Sequence, residues 1–230
     1  MERVSKRDNS EIVFNMTNIG IDFSLNSPGV TIEYNDTIKF FSFFNTEGCD
    51  WDRPNPLKKF THHNAIRNFV EVVPYIRTKT DKKTSYADEQ MAKMKDASMI
   101  TELIMKTISE NIYEDDIMFS LEGFAYQSSG ASFIDLILFN SFLRKGIIEK
   151  WGYDKLTIIA PSAAKKLAGK GNADKEYMIN AFRNNVLEDE KLKATGLYEY
   201  ANAITDFKNV KPVDDIVDSY FIMKSQNTQK

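Results

Sequence analysis

The pattern of apolar and polar positions near the start of the chain predicts a strand that ends in a carboxylate. In the stretch 18–24, alternation places Ile19 and Ile21 on one face and Gly20 and Asp22 on the other, because side chains along a strand have a period of two. A charge on an interior strand costs free energy unless it is paired or binds a metal ion. Asp22 therefore needs a counter-charge from elsewhere in the chain.

Two further alternating stretches, 30–34 and 37–44, follow the first strand. They are joined by Asn35 and Asp36, a pair typical of a tight hairpin turn. We therefore expect three antiparallel strands in succession. Residues 45–84 are less regular, although 69–73 could form a strand. Because they separate two clear patterns, we interpret them as an insertion in a single domain that spans residues 1–230.

The middle of the chain alternates helices and strands. Apolar residues at helical spacing predict an amphipathic helix over 86–111, and the apolar run 117–121 predicts a buried strand that ends at Glu122. A helix over 132–148 and a strand over 156–160 complete a right-handed βαβ unit. The predicted fold class is α/β, with a mixed five-stranded sheet of three antiparallel strands and then parallel strands, flanked by helices.

The last third of the chain is predicted to be mainly helical. A short helix covers 162–167, and Asn172 can cap a helix over 173–185. Residues 188–211 are expected to form a charged, irregular connection, and the final helix begins near Pro212.

The helix over 132–148 is apolar on nearly every side, so one stripe can pack on the sheet while other apolar residues remain. Phe139 and Phe142 belong to this surplus. A subunit interface, and hence a homodimer, explains the surplus best, and burial under the insertion is the alternative.

Composition narrows the class of protein. The net charge is −3, so no overall positive field indicates a nucleic-acid partner, although clustered acids can hide a local basic surface. Cys49 is the single cysteine, which rules out an internal disulfide. No run of 18 apolar residues and no apolar N-terminal segment occurs. We therefore expect a cytoplasmic protein without membrane contact.

Two features of the insertion have alternative interpretations. A basic run could contact phosphates or be a solvated hairpin; it consists of Arg77, Lys79, Lys82 and Lys83. Zinc binding by Cys49, His62 and His63 is disfavoured, because adjacent strand residues point oppositely and no fourth ligand is evident.

Four acids lie on separate predicted core elements. Asp22 and Glu122 end strands, and Asp215 and Asp218 lie three residues apart on the last helix, on one face; Asp214 shares that face. If they meet, their repulsion requires a cation, and oxygen ligands favour Mg²⁺, with Mn²⁺ as a substitute. Two such ions about 4 Å apart suit phosphodiester hydrolysis. The alternative for Asp214 is a helix cap, and for Glu122 a solvated loop acid.

Lysines cluster before the predicted helix over 173–185. The cluster consists of Lys165, Lys166, Lys170 and Lys175. With the amides near Asn172 these side chains could hold a phosphate group. A solvated helix end is the alternative interpretation.

Four segments, in this order, resemble the RuvC-type Holliday junction resolvases of the RNase H-like superfamily, most closely the bacteriophage version. They are Ile19 to Asp22, Ser120 to Ala125, Pro161 to Lys175 and Asp215 to Asp218. The resemblance covers roughly residues 15–44 and 86–225 and leaves the insertion outside.

This resemblance implies an RNase H-like fold, a homodimer through the 132–148 helix, and Mg²⁺-dependent paired nicking of four-way DNA junctions in recombination and repair. It implies that the metal-binding acids are Asp22, Glu122, Asp215 and Asp218. Lys175 matches a lysine near the scissile phosphate, and either Lys165 or Lys166 matches a second. Phe124 and Tyr126 are candidates for the aromatic that stacks on a junction base.

Two competing hypotheses remain. The chain could be a different nuclease with the same fold, acting on flaps, in DNA packaging or on RNA in hybrids. It could also be a junction-binding module without catalysis.

Overall fold

The structure, a computed structural model, describes residues 16–46, 66–112, 116–124, 130–207 and 210–226, with backbone alone at 186 and 187. A six-stranded sheet lies at its centre, in the order β4-β3-β2-β1-β5-β6. The strands are β1 (Thr17–Asp22), β2 (Gly29–Tyr34), β3 (Thr37–Asn45), β4 (Glu71–Tyr75), β5 (Ile117–Glu122) and β6 (Leu156–Ile159).

Seven α-helices are present in the described part of the chain. They are α1 (Tyr86–Glu110), α2 (Ala131–Trp151), α3 (Pro161–Leu167), α4 (Lys175–Glu188), α5 (Glu190–Ala194), α6 (Leu197–Ala203) and α7 (Val213–Ser225). A 3₁₀ turn over Tyr153–Lys155 precedes β6. None of the described helices combines the length and apolar character needed to cross a membrane.

The direction of the strands confirms the predicted fold class. Strands β1, β2 and β3 pair antiparallel, β5 lies parallel to β1, and β6 lies parallel to β5. Asn35 adopts a left-handed φ of 49° in the turn between β2 and β3, a conformation that Asn tolerates better than most residues. This mixed α/β sheet has the strand order and directions of an RNase H-like fold.

The number of strands is larger than predicted, because part of the proposed insertion joins the sheet. Strand β4 pairs parallel with the outer edge of β3, where Phe43 lies opposite Val73. The edge is closed by hydrogen bonds from the Thr46 amide to the Tyr75 carbonyl, 2.8 Å, and from the Tyr75 hydroxyl to the Leu25 carbonyl, 3.0 Å. Apolar pairing with β3 therefore extends the sheet to six strands. Cys49, His62 and His63 lie outside the described residues.

The two faces of the sheet are covered differently. Helices α1 and α2 cover one face, where Ile19, Ile21 and Phe119 are fully buried in an apolar core. Helix α7 crosses the other face and contacts β1, β2 and β5. It lies against bare backbone, because a β-carbon on Gly20 would be 2.1 Å from the Ser219 carbonyl oxygen. The Ser219 hydroxyl is also 2.7 Å from that of Thr31, which ties α7 to β2.

Two predictions for the last third of the chain are wrong. Asp174, not Asn172, caps the helix: its Oδ1 accepts a hydrogen bond from the Tyr177 amide at 2.9 Å, so α4 begins at Lys175. The connection predicted as irregular contains the short helices α5 and α6. They form because Leu192 and Leu197 are fully buried against the α7 side of the core.

The surplus predicted on α2 is also partly wrong. Phe139 is fully buried within this chain, and the Arg77 guanidinium lies 5.1 Å from its ring centre. Since Arg77 also pairs with Asp96, it is not available for phosphates in the way the basic run suggested. The exposed apolar residues of α2 are instead Ile134 and Ile137, at 68% and 37% exposure.

Candidate metal and nucleic-acid site

Sheet geometry brings Asp22 and Glu122 to the same edge. Strands β1 and β5 are parallel neighbours, and Ile21 lies opposite Leu121, the residues that immediately precede the two acids. Helix α7 brings its aspartates to this edge, because Gly29 permits close contact: a β-carbon there would lie 2.4 Å from the Asp215 carbonyl oxygen. The two glycines of β1 and β2 therefore determine how closely α7 approaches the strand ends.

The electrostatics of Asp22 indicate that the predicted acids lie near enough to influence one another. Burial raises the pKa of Asp22 well above its ordinary value, and the negative charges of Asp218, Asp215 and Glu122 raise it further. The ammonium of Lys211 acts in the opposite direction. Acids contributed by β1, β5 and α7 thus repel one another across a common space.

The other acids are shifted in the same direction. Burial, followed by the charges of Glu122, Asp214 and Asp215, raises the pKa of Asp218 to about 7, against the effect of Lys165. Burial and the charge of Asp214 raise the pKa of Asp215 to about 6. Burial also raises the pKa of Glu122. Each acid is therefore less readily ionised than in water.

Lysines partly compensate these charges. Lys175 Nζ lies 2.6 Å from Asp214 Oδ2, and Lys211 Nζ lies 2.5 Å from Asp215 Oδ1. Partial burial lowers the pKa of Lys211, but the neighbouring aspartates outweigh this effect and raise it overall. The structure thus pairs the two adjacent aspartates with different lysines.

One oxygen of each of these aspartates has no partner. Asp214 Oδ1 and Asp215 Oδ2 are buried and accept no hydrogen bond within hydrogen-bond distance, although such oxygens normally do. The Ser27 hydroxyl is nevertheless close enough to Asp215 to act on it and lower its pKa, against the larger effect of burial. Oxygen donors of this kind fit Mg²⁺ or Mn²⁺. As they stand, however, no three of the described His, Cys, Asp and Glu side chains are close enough to enclose a metal ion. The carboxylates of the candidate site repel one another, and two of them are paired with lysines, which explains why they are not clustered closely enough to enclose an ion.

Adjacent lysines on α3 have different surroundings. The charge of Lys165 acts on both Glu122 and Asp218, so this side chain faces the pocket. Lys166 is exposed, and its aliphatic stem lies beside Gly171. Lys165 is therefore the better match to the second lysine implied by the resemblance.

The remaining predicted phosphate contacts lie at the surface. Lys170 is exposed, with its ammonium 4.5 Å from the centre of the Tyr177 ring, and Asn172 is exposed in the turn before α4. A groove of about 570 Å³ runs along α4 past Lys170 and Tyr177 and is also lined by Asp174 and Glu176. The candidate metal-binding acids do not line it; these are Asp22, Glu122, Asp214, Asp215 and Asp218.

Phe124 lies two residues beyond Glu122, as an aromatic near the site should, but it is partly covered. The Arg144 guanidinium lies 4.7 Å from its ring centre, and the Phe133 ring packs edge-on at 5.8 Å. To stack on a base, Phe124 would have to exchange one of these neighbours. Tyr126, the other candidate, lies outside the described residues.

Lys211 was missed by the sequence reasoning. Its spacing of four residues from Asp215 is typical of a helical ion pair. Pro212 concealed this signal, because the helix was expected to begin there and residues before it were assigned to an irregular connection.

Comparisons with known proteins give likenesses to solved structures alone. No protein-family model matches the sequence, and no curated protein is significantly similar to it. Among solved structures, the Thermus thermophilus RuvC structure aligns over 93% of this chain and 96% of that chain, with 12% sequence identity and a TM-score of 0.47. Such a score does not establish a common fold by itself, so the assignment of an RNase H-like fold depends on the strand order and directions.

Proposed function

We propose that this protein is a metal-dependent, structure-selective endonuclease that resolves Holliday junctions and related branched DNA by paired nicking. The observation that carries the proposal is the shared pocket of Asp22, Glu122, Asp215 and Asp218, which combines mutual repulsion with an unpaired buried carboxylate oxygen. Divalent cations bound there would offset the repulsion between the carboxylates and use the unpaired oxygen as a ligand.

The four acids would hold two Mg²⁺ ions, which supply an activated water and stabilise the leaving oxygen in phosphodiester hydrolysis. Both aspartates are paired with a lysine, but Asp215 is the better candidate ligand, because its charge acts on Asp22 across the pocket. Asp214 would then act as a positioning residue that holds the Lys175 ammonium at the edge of the pocket.

Lysines would bind the DNA backbone beside the acids. Lys165 and Lys175 lie nearest to the pocket, and the exposed side chains of Lys166, Lys170 and Asn172 could extend the contact along the phosphates. Contacts of this kind release counterions, so affinity for DNA should fall steeply with salt.

A homodimer would place two such pockets on a substrate with near-twofold symmetry. The exposed side chains of Ile134 and Ile137 on α2 support this helix as the interface, although the residues differ from those expected from the sequence. If the gene belongs to a bacteriophage, the enzyme would act in the cytoplasm of the host.

The test is a cleavage assay on four synthetic substrates: a four-way junction, a flap, an RNA–DNA hybrid and a linear duplex. We expect Mg²⁺-dependent nicks at symmetric positions in the junction and little cleavage of the linear duplex. Preferred cleavage of the flap or hybrid would replace junction resolution by another nuclease activity. Junction binding without cleavage in Mg²⁺ or Mn²⁺ would indicate a binding module and contradict the proposal.

A further inference from the structure

The charges of the pocket are compensated by this chain's own lysines, but incompletely. Five carboxylates meet there, and three ammonium groups act on them. With every group ionised, these five carboxylates and three ammonium groups have a net charge of −2, which one divalent cation would neutralise. The carboxylates are Asp22, Glu122, Asp214, Asp215 and Asp218, and the lysines are Lys165, Lys175 and Lys211.

The Lys211 ammonium occupies a special position among these cations. It contacts Asp215 Oδ1 at 2.5 Å, and its charge also acts on Asp22 and Asp214. Lys211 thus acts both on Asp22 of β1 and on Asp215 of α7. Its side chain is 49% exposed, so the ammonium can move into water without repacking the core.

The pairing of Lys175 has a different character. Lys175 is the first residue of α4, and its contact with Asp214 joins α4 to α7. Asp215 raises the pKa of Asp22 by its charge, and Asp214 is not among the charges that shift it. Lys175 can therefore keep its partner while the Asp22 side of the pocket binds a cation, whereas Lys211 occupies an oxygen on that side.

We propose that Lys211 is a built-in counter-cation, which binds Asp215 in the metal-free protein and is displaced from it when a divalent cation enters. This inference rests on the proposed metal site. Its consequence is that Lys211 stabilises the metal-free fold and weakens metal binding, because its ammonium competes with the metal ion for the same carboxylate. A lysine that had only a structural role would stabilise the metal-free fold without weakening metal binding.

The test is to replace the ammonium by an apolar group of similar length and to measure metal binding and stability separately. K211M removes the competing charge, and we expect it to bind Mn²⁺ about tenfold more tightly than the unaltered protein in calorimetric titrations without DNA. We also expect a lower melting temperature in EDTA, since Asp215 loses its counter-charge.

The matched control is K224M. Lys224 lies on α7, the helix that carries Asp215, and contacts Glu33, which is not one of the five pocket acids, at 2.8 Å. We expect it to lower the melting temperature in EDTA and leave Mn²⁺ affinity unchanged. K211R, which keeps the charge, should bind Mn²⁺ no more tightly than the unaltered protein. If K211M is too unstable to purify, K211Q serves the same comparison.

The outcomes separate this inference from the proposed function. If the unaltered protein binds Mn²⁺ and K211M binds it equally or more weakly, Lys211 does not compete and the inference is wrong. If neither the unaltered protein nor K211M binds Mn²⁺, the metal site itself is wrong and the proposed nuclease fails with it.

Discussion

Two buried acids on opposite faces of the sheet differ in how their oxygens are used. Asp96 on α1 is 4% exposed and accepts hydrogen bonds from the Thr78 amide at 2.9 Å and the Thr78 hydroxyl at 2.7 Å, with Arg77 Nε at 3.5 Å. Asp215 on α7 is equally buried, but it has one ion pair and one unbonded oxygen. The two acids are therefore equally buried, but the oxygens of Asp96 have hydrogen-bond partners whereas one oxygen of Asp215 has none within hydrogen-bond distance.

We infer from this difference that ionised Asp96 stabilises the folded protein, whereas ionised Asp215 destabilises it when no cation is bound. The bonds to Asp96 attach the segment after β4 to α1, and its burial is compensated within the chain. Asp215 lies among other acids that raise its pKa, so its ionised form is destabilising without a cation. Removing a charge should therefore have opposite consequences at the two positions.

The largest expected effect comes from exchanging for its amide one acid on each side of the sheet, Asp22 beside Asp215 on the α7 side and Asp96 on the other. D22N should reduce junction nicking at least about a thousandfold, because a metal ligand and its charge are lost. It should still bind the junction and should raise the melting temperature in EDTA. D96N should retain nicking and lose about 2 kcal/mol of unfolding free energy, because the amide cannot accept all the hydrogen bonds of Asp96.

Cleavage time courses, gel shifts in Ca²⁺ and thermal unfolding check these expectations together. Unchanged nicking by D22N would remove Asp22 from the mechanism. A loss of metal-free stability in D22N as large as that in D96N would contradict the distinction between the two faces.

The next effect concerns the approach of helices to the sheet. G20A should lose about 3 kcal/mol of unfolding free energy, because its β-carbon would meet Met223 Cβ at 2.6 Å and the Ser219 carbonyl at 2.1 Å. Displacement of α7 should also reduce nicking by moving Asp215 and Asp218.

Gly146 on α2 gives the matched control on the other face. A β-carbon there would lie 3.2 Å from Thr101 Cγ2, a side-chain atom that can shift. G146A should therefore change stability by less than about 1 kcal/mol, since alanine also favours the helix. Chemical denaturation measures both variants, and equal losses would show that α7 is not held by a backbone contact.

The smallest effect is the pH dependence of the metal-free protein. The pKa of Asp215 is raised to about 6 and that of Asp218 to about 7, so the folded state binds protons more tightly than the unfolded state. Their contribution to stability is complete below about pH 4 and is lost as the pH rises through these values. The melting temperature in EDTA should fall between about pH 4 and about pH 7, and Mg²⁺ should oppose the fall.

D218N provides the comparison for this titration, because it removes one of the groups. Its melting temperature should decline less over the same pH range. An equally steep decline in D218N would assign the pH dependence to other residues.

The elements with strong periodicity were predictable from the sequence. Alternation around Asn35 predicts the hairpin of β2 and β3, and the apolar run that ends at Glu122 predicts β5. The sequence also contains the i, i+3 spacing of Asp215 and Asp218. These signals are local, so the amino-acid sequence is sufficient to predict the elements that carry the candidate acids.

Features that depend on distant contacts were not predictable. Asn172 and Asp174 are both good capping residues, and the helix starts after Asp174 in a turn where Ala173 is buried. A possible strand at 69–73 was expected, but its parallel pairing with β3 was not. Phe139 is likewise buried beside Arg77, which comes from the segment after that strand. Local sequence contains none of this information.

The helices α5 and α6 were missed for a related reason. Helices of 5 and 7 residues are too short to show a clear hydrophobic period. The contact of Lys211 with Asp215 was likewise hidden by the proline between them.

The central claim is that acids from β1, β5 and α7 bind divalent cations together. The most direct measurement is anomalous X-ray diffraction from crystals grown with Mn²⁺. We predict a peak within coordination distance of Asp22 and of at least one aspartate of α7, with Glu122 or Asp218 completing the site. Well-ordered carboxylates without a manganese peak between them, at a Mn²⁺ concentration that supports cleavage, would contradict the account.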